Sequence, residues 1–273
     1  MKKLSVLGPK GTYSDIAAKK YLEDNKLDYE IEYHNSILKT ALAIKNSELA
    51  ILPFENTLDG FVMESMDAII ANDFNIIYQL KLDIDFAFVT NSDNINDVKD
   101  VYCQFKAYGQ CIDFVSKYDF NIIQTQSNSE TVNKINKSDN KVGAIIPIHA
   151  LENNSYKTVI MHVADRSHNE TRFLVVSKND VKYEIKGDVC SSIVITIKED
   201  KPGVLFNILK NLSELEINMN SIMSRPMKTE MGQYKFYIEC TLNSDSIHKL
   251  NHLTTRLSKD GYFVKVLGIY NKL

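Results

Sequence analysis

Short apolar runs alternate with amphipathic stretches along the first two-thirds of the chain, the pattern of strands exchanging with helices. Lys3–Leu7 reads as a strand closed by Gly8-Pro9, followed by a helix from about Asp15 to Leu22 that Ser14 or Thr12 can cap. Glu30–Tyr33 reads as a strand, Ser36–Asn46 as a helix, and Leu49–Leu52 as a buried strand stopped by Pro53. A helix to about Ala71 follows PFENTLDGFVMESMD. Further strands are expected at Asp85–Thr90, Asp100–Tyr102, Asn121–Thr125 and Val142–Pro147, with helices at Ala107–Tyr118 and Ser129–Ile135. Phe173–Val176 is a last β-rich run, and the charged stretch Ser177–Asp188 reads as a linker.

The pattern then changes. Ser191–Ile197 is a predicted strand, and a polar turn leads into a helix carrying Leu205, Ile208, Leu209 and Leu212 at helical spacing. Ile217–Ser224 and Tyr234–Thr241 read as strands, Ser246–Ser258 as a helix and Tyr262–Tyr270 as a strand. That β-α-β-β-α-β order is the ferredoxin-like unit.

Two places in the first part put polar groups where a strand ends and a helix begins. GPKGTYS joins a glycine loop to a helix N-terminus, which is either an anion-binding arrangement or an ordinary turn. Asn56 and Thr57 end another strand, and open α/β sheets bind ligands beyond such ends.

Composition narrows the class. Of 273 residues, 44% are hydrophobic and 25% charged, with only 10 Gly and 5 Pro, so the chain is globular rather than fibrous or disordered. A net charge of −3 offers no basic excess for a nucleic-acid partner. No apolar run is long enough to span a membrane, and the N-terminal run is too short for a signal peptide. Cys103, Cys111, Cys190 and Cys240 share no CxxC spacing, and the six histidines form no HExxH motif, so neither a disulfide framework nor a metal is expected. A cytoplasmic protein with reduced thiols is the default reading. Only four arginines stand among 32 basic residues, and Arg172 and Arg225 lie in segments distinctive on other grounds.

GPKGTYS (8–14), PFENTLDGFVMESMD (53–67) and NETRF (169–173), in that order, resemble the prephenate dehydratase family. KPGVL (201–205) and SRP (224–226) resemble the ACT regulatory domain that follows the catalytic part in that family. The resemblance implies a two-lobed, periplasmic-binding-protein-like catalytic part over 1–180, with lobe one about 1–78 and 160–180 and lobe two about 79–159. An ACT domain would span 189–273. It further implies conversion of prephenate to phenylpyruvate with loss of water and CO₂, inhibition by L-phenylalanine, no cofactor and no metal. A homodimer or homotetramer would form through paired ACT units.

Carried onto this chain, the resemblance makes Thr171 the hydrogen-bond donor to the departing hydroxyl. Arg172 either pairs with a substrate carboxylate or braces the cleft from outside. Thr12, Ser14, Asn56 and Thr57 would line the cleft, Phe173 would form its wall, and Glu55 would orient polar groups or serve structure. Pro202, Gly203, Val204 and Leu205 would bind the effector's backbone groups, with Ser224 and Arg225 completing that pocket across a subunit contact. The chain departs from the family's Ser-His-Pro-Gln segment: Cys103-Gln104-Phe105-Lys106 stands there, before Ala107 and Gln110-Cys111. Met223 also replaces a common Glu before Ser-Arg-Pro.

Three rival readings remain open. One is a non-catalytic small-anion sensor carrying an ACT unit, since fold alone does not fix function. A second is a decarboxylase that retains water, which an intact Thr171 disfavours. A dinucleotide enzyme is more distant, because Gly8-Pro9-Lys10-Gly11 is not GxGxxG.

Overall fold

A computed structural model describes residues 2–139, 141–179, 185, 187–197, 201–227 and 234–273. Half of the expected linker (180–184 and 186) and part of the polar turn (198–200) before α7 (Val204–Glu214) lie outside the described residues.

Three sheets organise the chain. The first runs β2 (Glu30–His34), β1 (Lys3–Leu7), β3 (Leu49–Asn56), β11 (Glu170–Ser177), β5 (Asn75–Asp83), with the two-residue β4 (Gly60–Phe61) on β3. The second runs β10 (Thr158–Ile160), β6 (Phe86–Thr90), β9 (Val142–Pro147), β7 (Asp100–Gln104), β8 (Asn121–Thr125). The third runs β13 (Asn218–Pro226), β14 (Tyr234–Asn243), β12 (Asp188–Thr196), β15 (Phe263–Asn271), the strand order of a ferredoxin-like unit. The fold is therefore a two-lobed, periplasmic-binding-protein-like α/β part joined to a β-α-β-β-α-β unit. The chain leaves the first sheet after Asp83 and returns to it at Glu170.

Strand β5 is not among the expected strands: its ladder to β11 shifts register between Val175 and Val176, so Ile76 and Ile77 both enter the core and strict alternation is broken. Strand β3 corrects another expectation, because it continues through Pro53 to Asn56. The β3–β11 register shifts between Arg172 and Phe173, so Phe173 pairs with Pro53 while Arg172 pairs with Glu55. A bulge of this kind tolerates proline, which has no N–H for the ladder. The single helix expected over Ala107–Tyr118 is instead two short ones, α4 (Phe105–Gly109) and α5 (Ile112–Val115).

The first sheet buries both faces. On one face Leu4, Val6, Ile51, Ile77, Phe173 and Val175 pack with Ala17, Ala18 and Tyr21 of α1 (Tyr13–Asp24). On the other, Leu52, Phe54, Leu174 and Val176 meet α2 (Ile37–Leu42) and α3 (Met63–Ala71), together with Cys190, Val194, Tyr237, Leu267 and Tyr270 of the third sheet. That second contact docks the C-terminal unit directly on the first sheet. The opposite face of the third sheet is covered by α7 (Val204–Glu214) and α8 (His248–Lys259), through Ile208, Leu212, Leu250, Leu253 and Leu257. Docking is close enough to require glycine at one point: a Cβ on Gly268 would stand 2.0 Å from the Ile76 carbonyl oxygen.

Candidate active site

A cleft of about 350 Å³ lies between the first two sheets. Thr12, Ser14, Asn56, Thr171 and Phe173 line it from one lobe. Gln104, Lys106, Gln110, Gln126, Ser127 and Asn128 line it from the other, the last at the start of α6 (Asn128–Ile135).

Strand alternation decides which residues of NETRF reach this cleft. Successive side chains of β11 point to opposite faces. Thr171 and Phe173 face the cleft, while Arg172 faces the C-terminal unit. The Asn56 amide donates from Nδ2 to Thr171 Oγ1 at 3.0 Å. Its orientation is fixed at the other end, where Asn56 Oδ1 accepts from the Leu58 and Asp59 N–H groups, each at 3.0 Å. Since Thr171 Oγ1 accepts from Asn56, its own proton is left to donate elsewhere.

Thr12 occupies the N-cap of α1, but its hydroxyl donates to the carbonyls of Pro9 at 3.0 Å and Leu7 at 3.4 Å. The glycine loop is tied down by Asp15, which accepts from the Gly11 N–H, Lys19 Nζ and Tyr33 Oη. Burial pushes the Asp15 carboxyl up, but Lys19, Tyr33 and the Gly11 N–H together hold it below its ordinary value. Tyr13 joins the lobes by donating to the Asp85 carbonyl at 2.9 Å, and burial raises its phenol.

Two expected site residues stand elsewhere. The Arg172 guanidinium bonds Glu239 at 2.7 and 2.8 Å, Glu55 at 2.8 Å and Gln79 at 3.2 Å, and lies over the Phe54 ring. The β3 bulge accounts for this, presenting both Phe54 and Glu55 to one arginine. Thr57 is exposed outside the cleft, its hydroxyl accepting from the Glu170 N–H at 3.0 Å and so stapling β3 to β11. Arg172 and Thr57 are therefore not among the residues lining the cleft.

Asn169, which sequence reasoning passed over, stands behind the cleft lining. It is buried, accepts from Asn56 at 2.8 Å and donates to Gln110 Oε1 at 2.9 Å, linking Thr171 to the second lobe through neutral amides. Among the described residues, no group of three or more His, Cys, Asp or Glu side chains could hold a metal ion. No helix among them is long and apolar enough to cross a membrane.

The family model for prephenate dehydratase matches residues 4–181. The chain belongs to the prephenate dehydratase family. A prephenate dehydratase from Methanocaldococcus jannaschii is 34% identical over 96% of this chain and 95% of its own length. The crystal structure of the prephenate dehydratase from Staphylococcus aureus superposes with a TM-score of 0.84 at 27% identity, covering 99% of this chain and all of that one. A structure of prephenate dehydratase in complex with L-Phe from Arthrobacter aurescens shares the fold, with a TM-score of 0.83 at 21% identity over 99% of this chain and 90% of that one. The chain is thus a dehydratase, a carbon–oxygen lyase, and its match to the prephenate dehydratase from Methanocaldococcus jannaschii covers 96% of it.

The expected effector residues divide. Pro202, Gly203 and Leu205 are exposed before and at the start of α7, where Gly203 adopts φ +89°, and Val204 is half-buried. Ser224 is exposed on β13, but Arg225, next along the strand, points the other way and grips Asp67 of α3 at 2.9 and 2.8 Å.

Proposed function

We propose that the chain converts prephenate to phenylpyruvate, releasing water and CO₂, and that L-phenylalanine inhibits it through the C-terminal unit. The observation that carries the reading is the Asn56–Thr171 hydrogen bond in the cleft. Prephenate holds its own driving force, because losing CO₂ and hydroxide makes an aromatic ring. The enzyme has only to assist the leaving hydroxide and to hold a dianion without over-stabilising the carboxylate that departs. A hydroxyl whose oxygen already accepts from an amide, and whose proton is free, suits the first task. The Ser14 hydroxyl and the neutral amides of Gln104, Gln110 and Asn128 suit the second, since they orient an anion without neutralising it. Thr12 and Asn56, whose protons go to neighbouring oxygens, shape the cleft. Arg172 has the role of a brace, not of a carboxylate clamp.

In this reading residues 1–180 catalyse and 189–273 regulate. The loop Pro202–Leu205 and Ser224 receive the effector, and Arg225 ties their strand to α3. Leu205, Phe206 and Phe263 leave exposed apolar surface at one end of the regulatory unit, where Asn207 bonds Asp260. That surface favours pairing of two copies there, giving a homodimer or homotetramer.

Incubation with prephenate and identification of the product by mass tests the reading. Phenylpyruvate supports it. A decarboxylated product that retains water, or no turnover at all, contradicts it and favours a decarboxylase or a sensor.

A further inference from the structure

Of the twenty described residues that line the cleft, only two carry charge. Asp59 stands on the loop after β3 in the first lobe, and Lys106 on α4 in the second. They face each other across the cleft, with Lys106 Nζ at 3.1 Å from Asp59 Oδ2. A substrate with two carboxylates entering here meets one cation, already occupied by an acid.

We propose that Lys106 is the carboxylate-recognition residue of this cleft, and that Asp59 holds its ammonium group until the substrate displaces it. The inference rests on the proposed activity toward a dicarboxylate, and three observations support it. The pair is open to solvent, with side-chain exposures of 68% for Lys106 and 48% for Asp59, so exchanging one carboxylate for another costs little. The backbone under Lys106 is fixed, because Gln104 caps α4 by accepting from the N–H groups of Lys106 and Ala107 at 2.8 and 3.2 Å. Those N–H groups are thereby spent, which leaves the side chain as the charged group offered from this end of the lobe. Finally, the remaining lining is neutral, so a single mobile ammonium sets the charge preference of the site. A flexible lysine that binds at the cleft's edge holds a carboxylate without pinning it as a rigid arginine fork would.

The test compares steady-state kinetics of the parent chain with Lys106→Gln, Lys106→Arg and Asp59→Asn, at low and high salt. Both residues are exposed, so the variants fold. Lys106→Gln is expected to raise KM for prephenate roughly tenfold or more with kcat little changed, and to flatten the salt dependence of KM. Lys106→Arg keeps KM within a few-fold. Asp59→Asn removes the competitor and lowers KM by about two- to fivefold. An unchanged KM in Lys106→Gln beside normal turnover by the parent overturns the proposal and leaves the activity standing. So does a rise in KM in Asp59→Asn matching that of Lys106→Gln, which would make the pair a bolt between lobes. Absence of turnover in the parent chain removes both readings.

Discussion

Glu239 of the C-terminal unit grips Arg172 with both carboxylate oxygens, at 2.7 and 2.8 Å, and Arg172 is the strand neighbour of Thr171. A buried, bidentate ion pair thus ties the third sheet to the strand that carries the proposed hydrogen-bond donor. Glu239 is only 2% exposed and also accepts from Tyr270 Oη at 2.8 Å. Burial works against the Arg172 charge, but Glu239 leads the groups that hold the guanidinium firmly protonated. Removing one member of such a pair strands the other. Glu239→Ala is expected to cost about 3–5 kcal/mol in denaturant unfolding. The milder Glu239→Gln should weaken inhibition by phenylalanine more than it slows basal turnover, and an unchanged inhibition curve would remove this pair from the coupling route.

Gly268 offers a second test of the same contact. A methyl group there would lie 2.0 Å from the Ile76 carbonyl oxygen, so β15 or β5 must move. Gly268→Ala is expected to lower Tm and to blunt the phenylalanine response, as read by calorimetry and inhibition assays on one preparation.

Asp15 sets an acid limit. Its folded-state value lies below the ordinary 3.8, so its contribution is complete above that value and is lost as pH falls through the folded value. Once pH has fallen through that lowered value the carboxyl gives up Lys19 and the Gly11 N–H, and the loop bearing Thr12 loosens. Urea unfolding across pH should decline less steeply on the acid side for Asp15→Asn than for the parent chain.

The thiols should be inert. Burial pushes Cys103 up to about 12 and Cys240 up to about 12, and raises Cys111 and Cys190 as well. Native protein at pH 8 is expected to resist alkylation that denatured protein accepts at all four positions, as counted by mass.

Much of this arrangement is legible in the sequence. Glycine loops and apolar spacing mark most strands of the three sheets, and the motif order points to the one cleft that Thr12, Ser14, Asn56, Thr171 and Phe173 share. Local pattern fails where tertiary contacts decide. Pro53 reads as a strand end, but the bulge opposite Arg172 carries β3 past it. Arg172 and Thr171 share a motif, yet alternation sends them to opposite faces. Glu239 carries a signal that local pattern leaves unread: it sits between Ile238 and Cys240 in an apolar strand, and a buried acid there demands a cation. Asn169 carries no such mark, since an asparagine before a strand reads as a turn residue.

The central claim is that the Thr171 hydroxyl, oriented by Asn56, donates to the hydroxide leaving prephenate. Its most direct measurement is steady-state turnover of prephenate by Thr171→Val, which keeps the volume and removes the hydroxyl. The account predicts a kcat lowered by about 10²–10⁴-fold, KM within a few-fold of the parent, and activity largely retained in Thr171→Ser. A Thr171→Val enzyme with near-parental kcat would contradict it.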